Sequence, residues 1–236
     1  MENKRRTLNS EKVRTCLVET DAADSAAVDS NWELHVALFS VEHMLNRVVT
    51  YATERNMEQT LRAVELMKKY HKGQLRKGKE AVPYIFHPLM LACQAYALGI
   101  ADDNLIASCL LHDVIEDCNV LPEELNVSPE VVEAVTLVSF SQPDGLSYEE
   151  AKAEYFKKIN GNKLASMVKL LDRCNNVSTM AMGFSKKRII EYIDETEKYI
   201  MPMLSDVKHK YPDYYNASFL IKYQMKSVIE TLKRLL

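Results

Sequence analysis

Apolar residues recur at intervals of three and four along most of this chain, and nowhere do they alternate convincingly with period two. That spacing is the stripe of an α-helix and not the face of a strand. Punctuation agrees, because 6 glycines and 7 prolines in 236 residues are too few for the tight turns of a strand-rich sandwich. The chain is therefore expected to be all-α. Its length suits one sizeable core, or one domain with an extension. No internal repeat and no low-complexity segment interrupts it.

The periodicity places helices along most of the chain. The first spans "DSNWELHVALFSVEHMLNRVVTYATER", with Ser30 as its cap and Trp32, Val36, Phe39, Met44, Val48 and Tyr51 on one face. A second covers residues 58–73, where Gly73 can end it. A loop over 74–86 leads to a helix over 87–99 with Pro88 in its first turn. The run 102–118 is expected as one continuous helix, followed by helices over 128–140, 147–159, 162–180, 185–211 and 217–236. Residues 1–30 are polar and read as a mobile arm, residues 31–57 as a helical extension, and residues 58–236 as the main domain.

A net charge of -3 argues against bulk electrostatic binding to nucleic acid. The five cysteines, Cys16, Cys93, Cys109, Cys118 and Cys174, form no Cys-x-x-Cys pair. Their scatter suggests reduced thiols and a cytoplasmic protein. No signal peptide and no membrane span are expected, since no apolar run is long enough. Self-association is left open.

The stretch "LLHDVIEDC" concentrates chemistry. On a continuous helix His112 stacks over Glu116 and Asp113 over Asp117, while His112 and Asp113 point to neighbouring sectors and could grip one ion. Like charges at this spacing repel, and burial beside "IASCLL" would raise that cost unless a cation were present. A solvated acidic turn remains the plain alternative. Two other segments bear on it. His87 stands before Pro88 in an apolar setting, where a satisfied core histidine is common. Asp172 lies mid-helix among Val168, Leu170 and Leu171, where burial would demand a partner, and Arg173 is one candidate. One divalent ion would account for His87, His112, Asp113 and Asp172 together. This mixed nitrogen and oxygen set suits Mn, Fe or Zn better than Ca. Glu116 and Asp117 would stay free for proton transfer beside a water at the ion.

The order His, His-Asp, distant Asp is the signature of the HD superfamily of metal-dependent phosphohydrolases. "HKGQLRKGKEAVPYIFHPLMLA", "SCLLHDVIED" and "VKLLDRCNNVSTM" together resemble the hydrolase domain of RelA/SpoT proteins, above all the stand-alone small alarmone hydrolases. The resemblance runs from about residue 58 to about residue 200. It implies an HD-domain helical bundle, with manganese held by His87, His112, Asp113 and Asp172. It implies that Glu116 and Asp117 activate water and handle protons, and that Asn176 lies near that water and the ribose. It assigns Arg76 and Lys77 to the nucleotide base and phosphates, with Lys169 and Arg173 as further nearby cations. Lys79 reads as an ordinary solvated charge, and Tyr84 as either a pocket wall or a packing residue. The implied reaction removes the 3′-pyrophosphate of ppGpp or pppGpp, giving GDP or GTP and pyrophosphate.

The chain departs from the family pattern in three places. "RKGKEAVPY" is two residues longer than usual, "LLDR" carries leucine in place of alanine, and "RCNN" replaces "RLHN". The altered loop lies where the base would be read, so another nucleotide, NADPH among them, is the alternative substrate. A sensor without catalysis and a helical interaction module are the non-enzyme readings. The intact acidic pair argues against the first, and metal content would exclude the second. The chain after residue 200 is too short for a synthetase domain, so a bifunctional protein is not expected.

Overall fold

A computed structural model describes residues 40–76 and 82–236. The arm over 1–30, Ser30, Trp32, Val36, Phe39, Lys77 and Lys79 lie outside these residues. Among the described residues the chain forms helices joined by turns, with one isolated antiparallel bridge between Leu75 and Pro83.

The helices are α1 (Val41–Glu54), α2 (Glu58–Tyr70), α3 (Phe86–Ala97), α4 (Asp103–Leu111), α5 (Val114–Cys118), α6 (Pro129–Val138), α7 (Tyr148–Gly161), α8 (Lys163–Gly183), α9 (Lys186–Glu195), α10 (Met201–Lys210) and α11 (Tyr215–Leu235). A π-helical turn, Thr196–Ile200, joins α9 to α10. Local chemistry sets most of the starts. Side-chain oxygens of Ser40, Asp102, Ser128, Ser147, Asn162 and Ser185 accept backbone N–H groups at the starts of α1, α4, α6, α7, α8 and α9. Each such cap satisfies a donor that the helix itself cannot, a contribution of about 1 kcal/mol. At α7 the cap is reciprocal, with Glu150 returning to the Ser147 N–H.

Helix α2 has no cap of its own. Asp103, at the start of α4, supplies one from across the core. Its carboxylate accepts the N–H groups of Gln59 at 3.0 Å and Thr60 at 2.7 Å. This locks α2 against α4.

Two helices are buried nearly all round. Every residue from Leu105 to Leu111 of α4 is buried, and so is nearly all of α8 from Ala165 to Val177. Such helices lose their amphipathic stripe because partners cover every side. Helix α4 packs against α2, α3, α6 and α8, and α8 against α6, α11, α3 and α7. Met44, Leu45, Val48, Val49 and Ala52 of α1 join the same core.

The run 102–118, expected as one helix, is two. Helix α4 stops at Leu111, Asp113 takes φ −101 and ψ −4, and α5 begins at Val114. The cause is local. His112 Nδ1 turns back to donate to the Cys109 carbonyl at 2.9 Å. In a continuing helix that carbonyl would receive the Asp113 N–H. Asn119, at φ 53, then closes α5 in the left-handed region that asparagine tolerates.

Candidate metal centre and its cleft

The break aims His112 and Asp113 at one point. His112 Nε2 lies 2.9 Å from Asp113 Oδ2, where an unbroken helix would have splayed the two side chains. His87, on the first turn of α3, comes in from one side, and Asp172, mid-way along α8, from another. His87 Nε2 is 3.1 Å from Asp172 Oδ1 and 3.9 Å from Asp113 Oδ2, and His112 Nε2 is 3.9 Å from Asp172 Oδ1. Ligand atoms of the buried His87, His112 and Asp172 all fall within 4.8 Å of one another. Asp113, half-buried, closes the fourth side at the distances just given.

The residues fit a divalent cation on their hydrogen bonding alone. His112 Nδ1 donates to a carbonyl, so Nε2 presents a lone pair. That atom is buried and faces the Asp113 carboxylate at 2.9 Å, a gap that a cation or a proton can bridge. At His87, Nδ1 faces Asn175 Oδ1 at 2.9 Å, while Nε2 is hydrogen-bonded to Asp172 Oδ1 at 3.1 Å. Two imidazole nitrogens and two carboxylates converging on one buried point need positive charge between them. Without an ion a proton fills that role. Burial by itself disfavours the His112 imidazolium, but Asp113 and Asp172 outweigh it and raise its pKa to about 9. Burial likewise pushes both carboxyls up, and the cations around them more than reverse it. Lys169, His87 and His112 hold Asp172 well below the usual range, and His112 and His87 do so for Asp113. Imidazole nitrogen with carboxylate oxygen and no thiolate is a donor set for Mn, Fe or Zn.

A supporting layer holds the ligands. Tyr84 donates its hydroxyl to Asp113 Oδ2 at 2.5 Å and stacks on the buried His71, ring centroids 4.6 Å apart. Asn176 Nδ2 donates to Asp172 Oδ1 at 2.6 Å, and Asn176 Oδ1 accepts from Arg76 at 2.8 Å. Lys169 Nζ lies 3.2 Å from Asp172 Oδ2. Burial works against its charge, and the Tyr155 oxygen and the Asp172 carboxylate keep it protonated. Arg76 is set by the bridge at the base of its loop, where its N–H donates to Val82 O at 2.8 Å.

The centre lies on the wall of a cleft of about 660 Å³. Glu116 and Asp117 are exposed on that wall. Glu116 Oε2 accepts the Phe140 N–H at 2.9 Å. Partial desolvation in the cleft raises the Glu116 pKa, and this N–H opposes the rise. Arg76, Lys152, Lys169 and Arg173 bring positive charge to the cleft, while Tyr84, Phe140, Tyr148, Tyr155 and Tyr192 give it aromatic walls.

The structure thus brings together His87, His112, Asp113, Asp172, Glu116, Asp117, Asn176, Arg76 and Lys169. Lys77 lies outside the described residues. Arg173 reaches the cleft, but its guanidinium is committed elsewhere. It donates to Glu195 at 2.5 Å and to Thr196 at 3.2 Å, and sits 3.9 Å over the Tyr192 ring. It does not pair with Asp172 as sequence had allowed, because adjacent helical residues diverge. Two residues of the site were not anticipated: Lys152, which pairs with Glu195 from α7, and Asn175 behind His87. For Lys152 no local signal exists. For Asn175 the doubled asparagine of "RCNN" was the available hint.

An all-helical fold that directs two histidines and two aspartates from three separate helical segments at one point has the architecture of an HD-type domain. No protein-family model matches the chain. A guanosine-3′,5′-bis(diphosphate) 3′-pyrophosphohydrolase of Aquifex aeolicus is 31% identical over 158 residues, covering 63% of this chain and 21% of that protein. A Xenopus tropicalis protein of the same name, MESH1, is 32% identical over 146 residues, covering 56% of this chain and 77% of that protein. A solved structure described as a metazoan ortholog of SpoT that hydrolyses ppGpp superposes with a TM-score of 0.59 at 19% identity, over 73% of this chain and 94% of that one. The chain belongs to the RelA/SpoT-type hydrolase family. It spans about a fifth of the length of the bacterial relatives that it matches.

Proposed function

We propose that this chain is a metal-dependent phosphohydrolase that removes the 3′-pyrophosphate of ppGpp or pppGpp, with one divalent ion, manganese before iron or zinc. The observation that carries the reading is the convergence of His87, His112 and Asp172 within 4.8 Å, beside exposed carboxylates in a cleft rich in cations and aromatic rings. The family's named activity supports the substrate.

The chemistry divides among the residues on the wall. Water adds to the phosphorus bonded to the ribose 3′-oxygen, that P–O bond breaks, and pyrophosphate and a 3′-hydroxyl result. His87, His112, Asp113 and Asp172 would hold the ion, which when bound supplies Lewis-acid polarisation of a phosphoryl oxygen and a more acidic water. Glu116 takes the proton of the attacking water. The Phe140 N–H pins one of its oxygens and leaves the other for the proton. Asp117, next in sequence and on the same wall, carries the proton towards the departing 3′-oxygen. Lys169 lies against the substrate's phosphates while it neutralises Asp172. Arg76 grips or stacks on the nucleotide through its planar fork, Lys77 is the next cation in sequence for the same phosphates, and Asn176 links Arg76 to Asp172 near the ribose. Arg173 acts through Glu195 and Tyr192 as a brace of the cleft floor.

A cytoplasmic setting fits the free thiols Cys93, Cys109, Cys118 and Cys174. No helix among the described residues is long and apolar enough to cross a membrane. The test is a panel of ppGpp, pppGpp, NADPH and ordinary nucleoside triphosphates incubated with the manganese-loaded protein and read by released product. Pyrophosphate together with GDP or GTP is expected. Release of phosphate from NADPH with ppGpp untouched would replace the proposed substrate.

A further inference from the structure

A histidine that binds a cation through one ring nitrogen must carry its proton on the other, and something must accept that proton. For His112 the acceptor is backbone, the Cys109 carbonyl. For His87 it is a side chain. Asn175 Oδ1 lies 2.9 Å from His87 Nδ1, and both residues are buried. An amide oxygen can only accept, so Nδ1 carries a proton, and Nε2, 3.1 Å from Asp172 Oδ1, is the nitrogen left to bind an ion.

We propose that Asn175 is the positioning residue of His87: its amide oxygen fixes the ring's tautomer and rotation, and so sets the affinity of the centre for its ion. This rests on the metal reading above. Asn175 does not line the cleft and touches no reacting group, so it acts through His87 alone. Its neighbour Asn176 lies about 100° further round α8 and serves Asp172 instead. The two consecutive amides therefore orient a nitrogen ligand and an oxygen ligand from one turn of a single buried helix. A hydrocarbon in place of Asn175 would leave a buried N–H without a partner and free the ring to change tautomer. A carboxylate there would draw harder on the proton and make Nε2 a stronger donor.

The test is the affinity for manganese and zinc, measured by competition with a chelating dye, in the wild type, Asn175→Leu and Asn175→Asp. The ¹⁵N shifts of His87 in the zinc-loaded proteins report the tautomer directly. Asn175→Leu is expected to bind the ions about 10- to 100-fold more weakly. Asn175→Asp should bind at least as tightly as the wild type, with its Nδ1–H resonance moved downfield. Leucine binding as tightly as asparagine, or aspartate as weakly as leucine, overturns the proposal. Should Asn175→Leu fail to fold, Asn175→Asp decides alone, and a tenfold loss of affinity there overturns it. A wild-type chain that takes up neither ion overturns the metal reading itself, an outcome separate from these.

Discussion

His112 holds its two ring nitrogens in opposite circumstances. Nδ1 is tied to a carbonyl, while Nε2 is buried and unpartnered against Asp113. That asymmetry suits a metal ligand better than a core histidine, and at His87 Nδ1 is likewise tied to an oxygen, that of Asn175, while Nε2 meets the Asp172 carboxylate at 3.1 Å. Glu116, by contrast, is exposed and touches no ligand atom, with a backbone N–H on one oxygen. Binding and turnover should therefore come apart on mutation. Asp113→Ala is expected to lose the ion and the activity together. Glu116→Gln should keep the ion, measured as metal per chain, and lose turnover by about 10²- to 10⁴-fold, the range of a positioned acid or base. A glutamine variant with normal turnover would remove Glu116 from proton transfer.

At the scale of elements, the fold places the site through helix ends and one helix middle. His87 enters at the start of α3, His112 and Asp113 at the break between α4 and α5, and Asp172 from inside α8. The α2 start depends on a cap from α4, so Asp103→Ala would leave the Gln59 and Thr60 N–H groups without their acceptor. We expect it to lower the unfolding free energy by about 1–3 kcal/mol in a denaturant titration, with metal stoichiometry unchanged. Helix existence was legible in the apolar periodicity, and Ser147, Ser128 and Ser185 were legible as starts. The break at His112 was not, because it arises from one side chain taking a backbone carbonyl, an event that no spacing announces. Motif order pointed to His87, His112, Asp113 and Asp172, which the fold brings together, and to Glu116 and Asp117, which share the cleft wall. Contacts with long sequence separation stayed hidden. The Glu195 anchor that takes Arg173 away from Asp172 comes from another helix, as does the pairing of Lys152 with the same carboxylate.

For the whole molecule, one core runs from Met44 in α1 to Ile229 in α11 and carries the site on its inner helices. Polar groups enclosed in such a core make stability depend on pH. Burial lowers the pKa of His71, which stacks behind Tyr84 and bonds Gln74 at 2.7 Å. Its folded value lies below the unfolded value of about 6.5. The neutral ring is thus favoured by folding, and its contribution is complete above about pH 6.5 and is lost as pH falls through the lower folded value. In chelator-treated protein, unfolding free energy should drop between about pH 7 and about pH 5, and the drop should be smaller in His71→Gln. An equal drop in both proteins would assign the acid sensitivity to other groups.

The proposed chemistry requires a single ion at the junction of α3, α8 and the α4–α5 break. Anomalous scattering from a crystal grown with manganese tests it most directly. One strong peak is expected, bounded by His87 Nε2, His112 Nε2 and the carboxylates of Asp113 and Asp172. Those side chains in their present arrangement with no peak between them, or a peak held by other residues, would contradict it.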